Sequence, residues 1–301
     1  MTGLTFLSLQ LGIFATSSVL SQISCRLTKL VCVLGSDDMY PISKFLSNQP
    51  AIEELYLVCQ PDGLAGLGSE ALPALRDLAA PLRLLPQLLN SRFSRISRLS
   101  VLGTLADIEE FVQLGAALES ARPPESIELV MGVDIAAFLM TTDILAQGLY
   151  LLGLQAPFLR LLRLEIHRGH IRQDALQAVF THALPKFPNL RTLVVMSQPP
   201  SSSAYIRKSS QIRLSPELLS PPSIPDTSSN EFSTFSSRYL LAQPEYDEAR
   251  NRPSTVPDAL HDRSCHTKIL SEWHRVHPGL ERVVFPVGAY TYVNKKQRRS
   301  G

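Results

Sequence analysis

The side chains able to do chemistry are scattered along this chain, and their spacing decides what each can do. His167 and His170 stand three positions apart, and Cys265 and His266 are neighbours. Imidazole and thiolate both ligate zinc, but structural zinc is held by paired local spacings, and here there is one short pair. They read as solvated loop histidines, with no metal. Cys265 beside His261 or His266 joins a thiol to a base, yet adjacency sets them at a helix start rather than across a cleft. A Ser-His-Asp triad can be assembled from distant positions, but no G-x-S-x-G elbow presents its serine. Gly63, Gly66 and Gly68 lie between a strand and a helical stretch, where glycines cradle phosphates. Their order reverses the dinucleotide fingerprint and no Gly-Lys-Ser/Thr follows, so they read as a flexible loop. Asp37-Asp38 precede Pro41 and a short helix, where carboxylates suit the helix dipole. Catalysis and cofactors are therefore not expected. The rival reading is an enzyme on an open parallel sheet, its site past the strand ends at Gly63–Gly68 or His167–His170.

The elements that would position any site come from one repeated phrase. A proline is followed, two residues on, by spaced apolar residues: Pro50-Ile52-Leu55-Leu57, Pro73-Leu75-Leu78, Pro157-Leu159-Leu162-Leu164, Pro188-Leu190-Leu193-Val195 and Pro278-Leu280-Val283-Phe285. Related runs begin near Leu4, Leu27 and Ile96, and a weaker one ends in Ile127-Glu128-Leu129. The first intervals, 23, 25, 23 and 21 residues, match a leucine-rich repeat, and later ones lengthen. In a strand the alternate apolar residues share one face. Between the strands run helical stripes. Ile108, Phe111, Val112 and Leu118 form one, with Thr104 and Asp107 placed like a capping box. Leu176, Val179, Phe180, Ala183 and Leu184 form another; Ile269, Trp273 and Val276 a third, which puts the single tryptophan in the core. The proline disfavours the α conformation in the residue before it, so each helix stops and the chain turns into a strand. Strands alternating with helices imply a parallel sheet. The predicted fold is α/β: a solenoid of about eight degenerate leucine-rich repeats, with parallel strands and helices on the outer side.

Composition narrows the class. With 45% hydrophobic and 19% charged residues the 301-residue chain is globular on the apolar side. A net charge of +2 creates no field that demands nucleic acid or an anionic membrane. Cys25, Cys32, Cys59 and Cys265 show no framework spacing and read as buried reduced thiols of an intracellular protein, in cytoplasm or nucleus. Residues 1–25 carry no charge, but they lack a basic leader and are broken by polar residues, so they read as a repeat strand rather than a signal. The uncharged stretch Ile144 to Leu159 falls short of the ~20 residues of a spanning helix and reads as a buried one. No membrane span is expected.

Residues 199–230 hold ten serines and six prolines, too little apolar surface to offset chain entropy. The predicted organisation is a repeat domain over 1–198, a disordered insertion over 199–258, a final repeat over 259–290 on the same domain, and a basic tail over 291–301. Ser215-Pro216 and Ser220-Pro221 read as proline-directed phosphorylation sites, and Lys295-Lys296-Gln297-Arg298-Arg299 as a short match to an import signal.

The Pro-x-Leu-x-x-Leu-x-Leu strands, together with the closing Trp273…His277-Pro278-Gly279-Leu280…Val284-Phe285-Pro286, resemble the F-box and leucine-rich-repeat-like proteins expanded in mushroom-forming fungi. The resemblance covers most of 40–198 and 262–290. It implies a curved repeat domain that presents a partner to a ubiquitin ligase, with an F-box gripping a Skp1-type adaptor. No Leu-Pro-x-Glu-Leu-Leu start stands near Met1, so the adaptor is a partner only if an F-box lies upstream. Leu214-Ser215-Pro216-Glu217-Leu218-Leu219 mimics that start, but Ser220-Pro221-Pro222-Ser223 cannot continue a helix. Gln60, Thr104, His167 and Gln198 stand where the repeat's usual asparagine would.

What remains is the strand face turned from the core. Glu54 and Tyr56, Arg98 and Ser100, Arg163 and Glu165, Thr192 and Val194, Arg282 and Val284 project there and should line up as one surface. Its mixture of charged and apolar groups suits a protein partner. The expected function is non-enzymatic protein recognition, as a substrate-receptor-like relative of F-box proteins. A third reading is a truncated gene product without retained activity.

Overall fold

The computed structural model describes residues 4–11, 20, 22–34, 41–119, 122–137, 139–197 and 258–292. These form a ten-stranded sheet in which spatial order is chain order. Its strands are β1 (Phe6–Leu11), β2 (Lys29–Leu34), β3 (Glu54–Val58), β4 (Asp77–Pro81), β5 (Arg98–Leu105), β6 (Ile127–Asp134), β7 (Leu159–His167), β8 (Thr192–Ser197), β9 (Arg282–Phe285) and β10 (Gly288–Thr291). Each strand from β1 to β9 pairs parallel with the next. The protein is α/β with a mostly parallel sheet.

Leucine placement explains the stacking. One inward position is shared across the sheet, from Leu30 through Leu55, Leu78, Leu99, Leu129, Leu162 and Leu193 to Val283. All are at most 2% exposed, and a single apolar cluster runs from Leu20 to Phe285. A slip by one residue would turn this whole set outward, so burial fixes the register. A backbone device repeats with it. At several strands one carbonyl accepts two consecutive N–H groups of the following unit: Thr5 O takes those of Thr28 and Lys29, Thr28 O those of Glu53 and Glu54, Arg76 O those of Ser97 and Arg98. Arg191 O does the same for Glu281 and Arg282.

The returning elements are α1 (Ile42–Ser47), α2 (Leu85–Leu89), α3 (Ile108–Glu119), α4 (Thr142–Gln155), α5 (Gln173–Ala183) and α6 (Arg263–Val276). The last four pack in sequence, α3 on α4, α4 on α5, α5 on α6. Glycines allow the close approach: a Cβ on Gly148 of α4 would stand 2.6 Å from the Phe111 ring of α3. Trp273 is fully buried, 4.8 Å from the Phe180 ring and 5.8 Å from that of Phe285. Among the described residues no helix is long and apolar enough to cross a membrane.

Three expectations need correction. The helix of residues 108–119 is capped by Asp107, not from Thr104: Asp107 Oδ1 accepts from Glu110 N at 2.9 Å and Glu110 Oε2 from Ala106 N at 2.5 Å, while Thr104 lies inside β5. No helix follows Gly63–Gly68; a single 3-10 turn at Pro61–Leu64 and Gly66 at φ 79° carry the chain to β4. The sheet is also not parallel throughout. Pro286-Val287 makes a two-residue turn, and β10 runs back antiparallel along β9, Gly288 opposite Phe285.

Candidate functional site

The outward side of the sheet carries rows of side chains set by the same register. The first row runs Phe6, Lys29, Glu54, Asp77, Arg98, Glu128, Leu161, Thr192, Arg282. The second runs Ser8, Val31, Tyr56, Ala79, Ser100, Val130, Arg163, Val194, Val284. The described side chains of both rows are exposed or half-buried, so this face is bare while the opposite one is packed.

Charges in the first row neutralise their neighbours. Lys29 Nζ stands 2.6 Å from Glu54 Oε2 and 5.7 Å from the Phe6 ring centre. Arg98 lies 3.1 Å from Glu128 and 3.8 Å from Asp77. Over β2–β5 the face holds a depression of about 250 Å³ whose lining includes Glu54, Tyr56, Asp77, Arg98, Ala79 and Ser100.

The structure brings Glu54, Tyr56, Arg98 and Ser100 together, as expected. It spreads the others along the face. Arg163 belongs to the second row, and Glu165 one row further on, opposite Gly132 and Met196, with 2.8 Å between the two charges. Leu161 stands level with Glu54 and Arg163 with Tyr56; between β6 and β7 the pairing shifts, Ile127 facing Leu159 but Glu128 facing Leu161. Lys29, Asp77 and Glu128 were not singled out from the sequence. The signal was present, because each immediately precedes the inward leucine of its strand.

The other candidates lie elsewhere. His167 ends β7 on the bare side, its ring close enough to Gly132 that a Cβ there would stand 3.0 Å from Nε2. His170 is exposed, with Nδ1 3.7 Å from Asp258. Arg168, between them, takes a left-handed φ of 48° and holds buried Asp134 by Nε at 3.0 Å. Cys265 sits on α6 as expected for a helix start, and burial pushes its thiol pKa up. That favours the inert thiol over the thiolate. His266 is buried; Nε2 donates to Ala259 O at 2.9 Å and Nδ1 accepts from the Tyr290 hydroxyl at 2.8 Å. Burial lowers its pKa. A contact unforeseen in the sequence joins Ser197 Oγ and His261 Nε2 at 2.9 Å. No three His, Cys, Asp or Glu among the described residues group as a metal site. None of Cys25, Cys32, Cys59 and Cys265 forms a disulfide; Cys25 is half-buried and the rest are buried. Asp37-Asp38, Gln198, Ser215, Ser220 and Lys295–Arg299 lie outside the described residues.

The chain matches no protein-family model, no curated protein and no solved structure.

Proposed function

We propose that the chain is a protein-recognition scaffold that binds a protein partner on the bare face of its sheet. Its units are drifted leucine-rich repeats stacked as a solenoid, with the helices outside and the bare strands as the binding surface. One observation carries this reading: strands laid in chain order expose two continuous rows of mixed charged, aromatic and small side chains over one packed face. The resemblance to fungal F-box and leucine-rich-repeat-like proteins extends it to a substrate-receptor-like role, in which a ubiquitin ligase would receive the bound partner.

The test is affinity capture with three chains compared. Val194→Asp alters the bare face and Leu154→Glu the exposed outer side of α4, where Leu154 is 52% exposed. The expected result is loss of the captured partner with Val194→Asp and retention with Leu154→Glu, at equal Tm. Retention with Val194→Asp and loss with Leu154→Glu would move the interface to the helices and end this reading.

A further inference from the structure

The depression over β2–β5 has a chemistry that specifies what enters it. Glu54 and Asp77 are direct cross-strand partners, so two carboxylates stand side by side, an arrangement that costs stability unless compensated. Compensation is unequal. Glu54 has Lys29 at 2.6 Å, whereas Asp77 has the Ser97 hydroxyl at 3.3 Å and Arg98 only at 3.8 Å. Arg98 is committed to Glu128, with Nε at 3.2 Å and Nη2 at 3.1 Å from the same carboxylate oxygen. From Lys29 to Glu128 the first row therefore sets three carboxylates against two cations. An anion entering the depression must break the close pairs that Lys29 and Arg98 make with Glu54 and Glu128; a cation joining Asp77 competes only with its longer contacts at 3.3 and 3.8 Å and leaves those pairs intact. In the second row, small Ala79 and Ser100 leave the Tyr56 ring standing beside a hollow of about 250 Å³.

We propose that this hollow takes an arginine side chain of the protein partner, its guanidinium flat against Tyr56 and bonded to Asp77. A planar fork that both stacks on a ring and binds a carboxylate through two N–H groups fits this geometry better than the point charge of lysine. The proposal rests on the bare-face reading above and names the chemistry of the partner there.

The experiment is an NMR titration of the ¹⁵N-labelled full chain with acetyl-Ala-Arg-Ala amide, and with the Lys and Glu tripeptides in parallel. The arginine peptide should shift amides confined to Tyr56, Asp77, Ala79 and their neighbours, and the glutamate peptide should not. Asp77→Asn should weaken arginine-peptide binding by about threefold, the worth of an exposed charge pair, without lowering Tm, since it relieves repulsion with Glu54. Shifts spread over the surface, equal response to the glutamate peptide, or unchanged affinity in Asp77→Asn would overturn the proposal. Lysine binding as tightly as arginine would overturn the stacked guanidinium. If the affinity for the captured partner is undiminished in Asp77→Asn but lost with Val194→Asp, this inference fails while the bare-face reading stands.

Discussion

The two ends of the sheet bury the same inward row by different means. From β5 onward the back layer is made of helices of 12, 14, 11 and 14 residues, joined by apolar contacts and close glycines. Between β2 and β5 the helices shrink to six and five residues, and β3 returns to β4 through a 3-10 turn alone. There, buried polar side chains hold the crossovers. Gln49, 3% exposed, accepts from Leu27 N and donates to Cys25 O, both at 3.0 Å. Arg92, 1% exposed, spends its guanidinium on backbone carbonyls: Ala71 O at 2.8 Å, Gln87 O and Leu88 O at 3.4 Å, and Gly68 O. A short crossover cannot form enough helix to satisfy its own backbone, so side chains satisfy it instead. The strand register is common to both ends; the back layer is free to differ.

That contrast is sharpest at Arg92. Arg92→Met keeps bulk but leaves several buried carbonyls without a donor, and should cost about 3 kcal/mol or more. Denaturant unfolding would measure it; a loss under about 1 kcal/mol would mean water replaces the guanidinium and the clamp is dispensable. At the other end Gly148→Ala forces a methyl into the Phe111 ring and should cost about 1–2 kcal/mol despite alanine's better helix propensity. A stabilised Gly148→Ala protein would show that α3 and α4 move apart freely.

A pH effect just below neutrality belongs to the helical end. His266 links Ala259, α6 and β10, with Asp262, Arg263 and His261 as its charged or titratable neighbours and the Tyr290 hydroxyl on Nδ1. Its folded pKa lies below the ordinary 6.5. The unfolded chain therefore binds the proton first: stability is full above that ordinary value and falls as pH drops from there to the folded pKa. The slope should reach at most about 1.4 kcal/mol per pH unit. Tm measured from pH 7.5 to 5 should fall for the native protein and flatten in His266→Gln; parallel profiles would exclude this histidine as the cause.

How far the sequence foretells this depends on which force acts. The proline-leucine phrase located β3, β4, β7, β8 and β9, because burial of spaced leucines repeats and leaves a periodic trace. β10 left none: it is four residues, Gly288–Thr291, held by a turn rather than by a leucine row. The clamps of Gln49 and Arg92 were equally silent, since a buried polar residue looks like a surface one until its partners are known. On the bare face the rows follow from the leucines, Leu161 and Arg163 flanking the inward Leu162 as Glu54 and Tyr56 flank Leu55.

The smallest effects on stability should come from the bare face itself. Arg163→Glu and Tyr56→Ala should each stay within about 0.5 kcal/mol of the native protein while weakening partner capture. A substitution that unfolded the chain there would mean the face is structural.

The decisive measurement is site-specific photo-crosslinking in cells, with p-benzoylphenylalanine replacing Tyr56 in one chain and Leu154 in another. Recognition through the strands predicts a discrete protein adduct from position 56 and none from position 154. An adduct from 154 alone would contradict it.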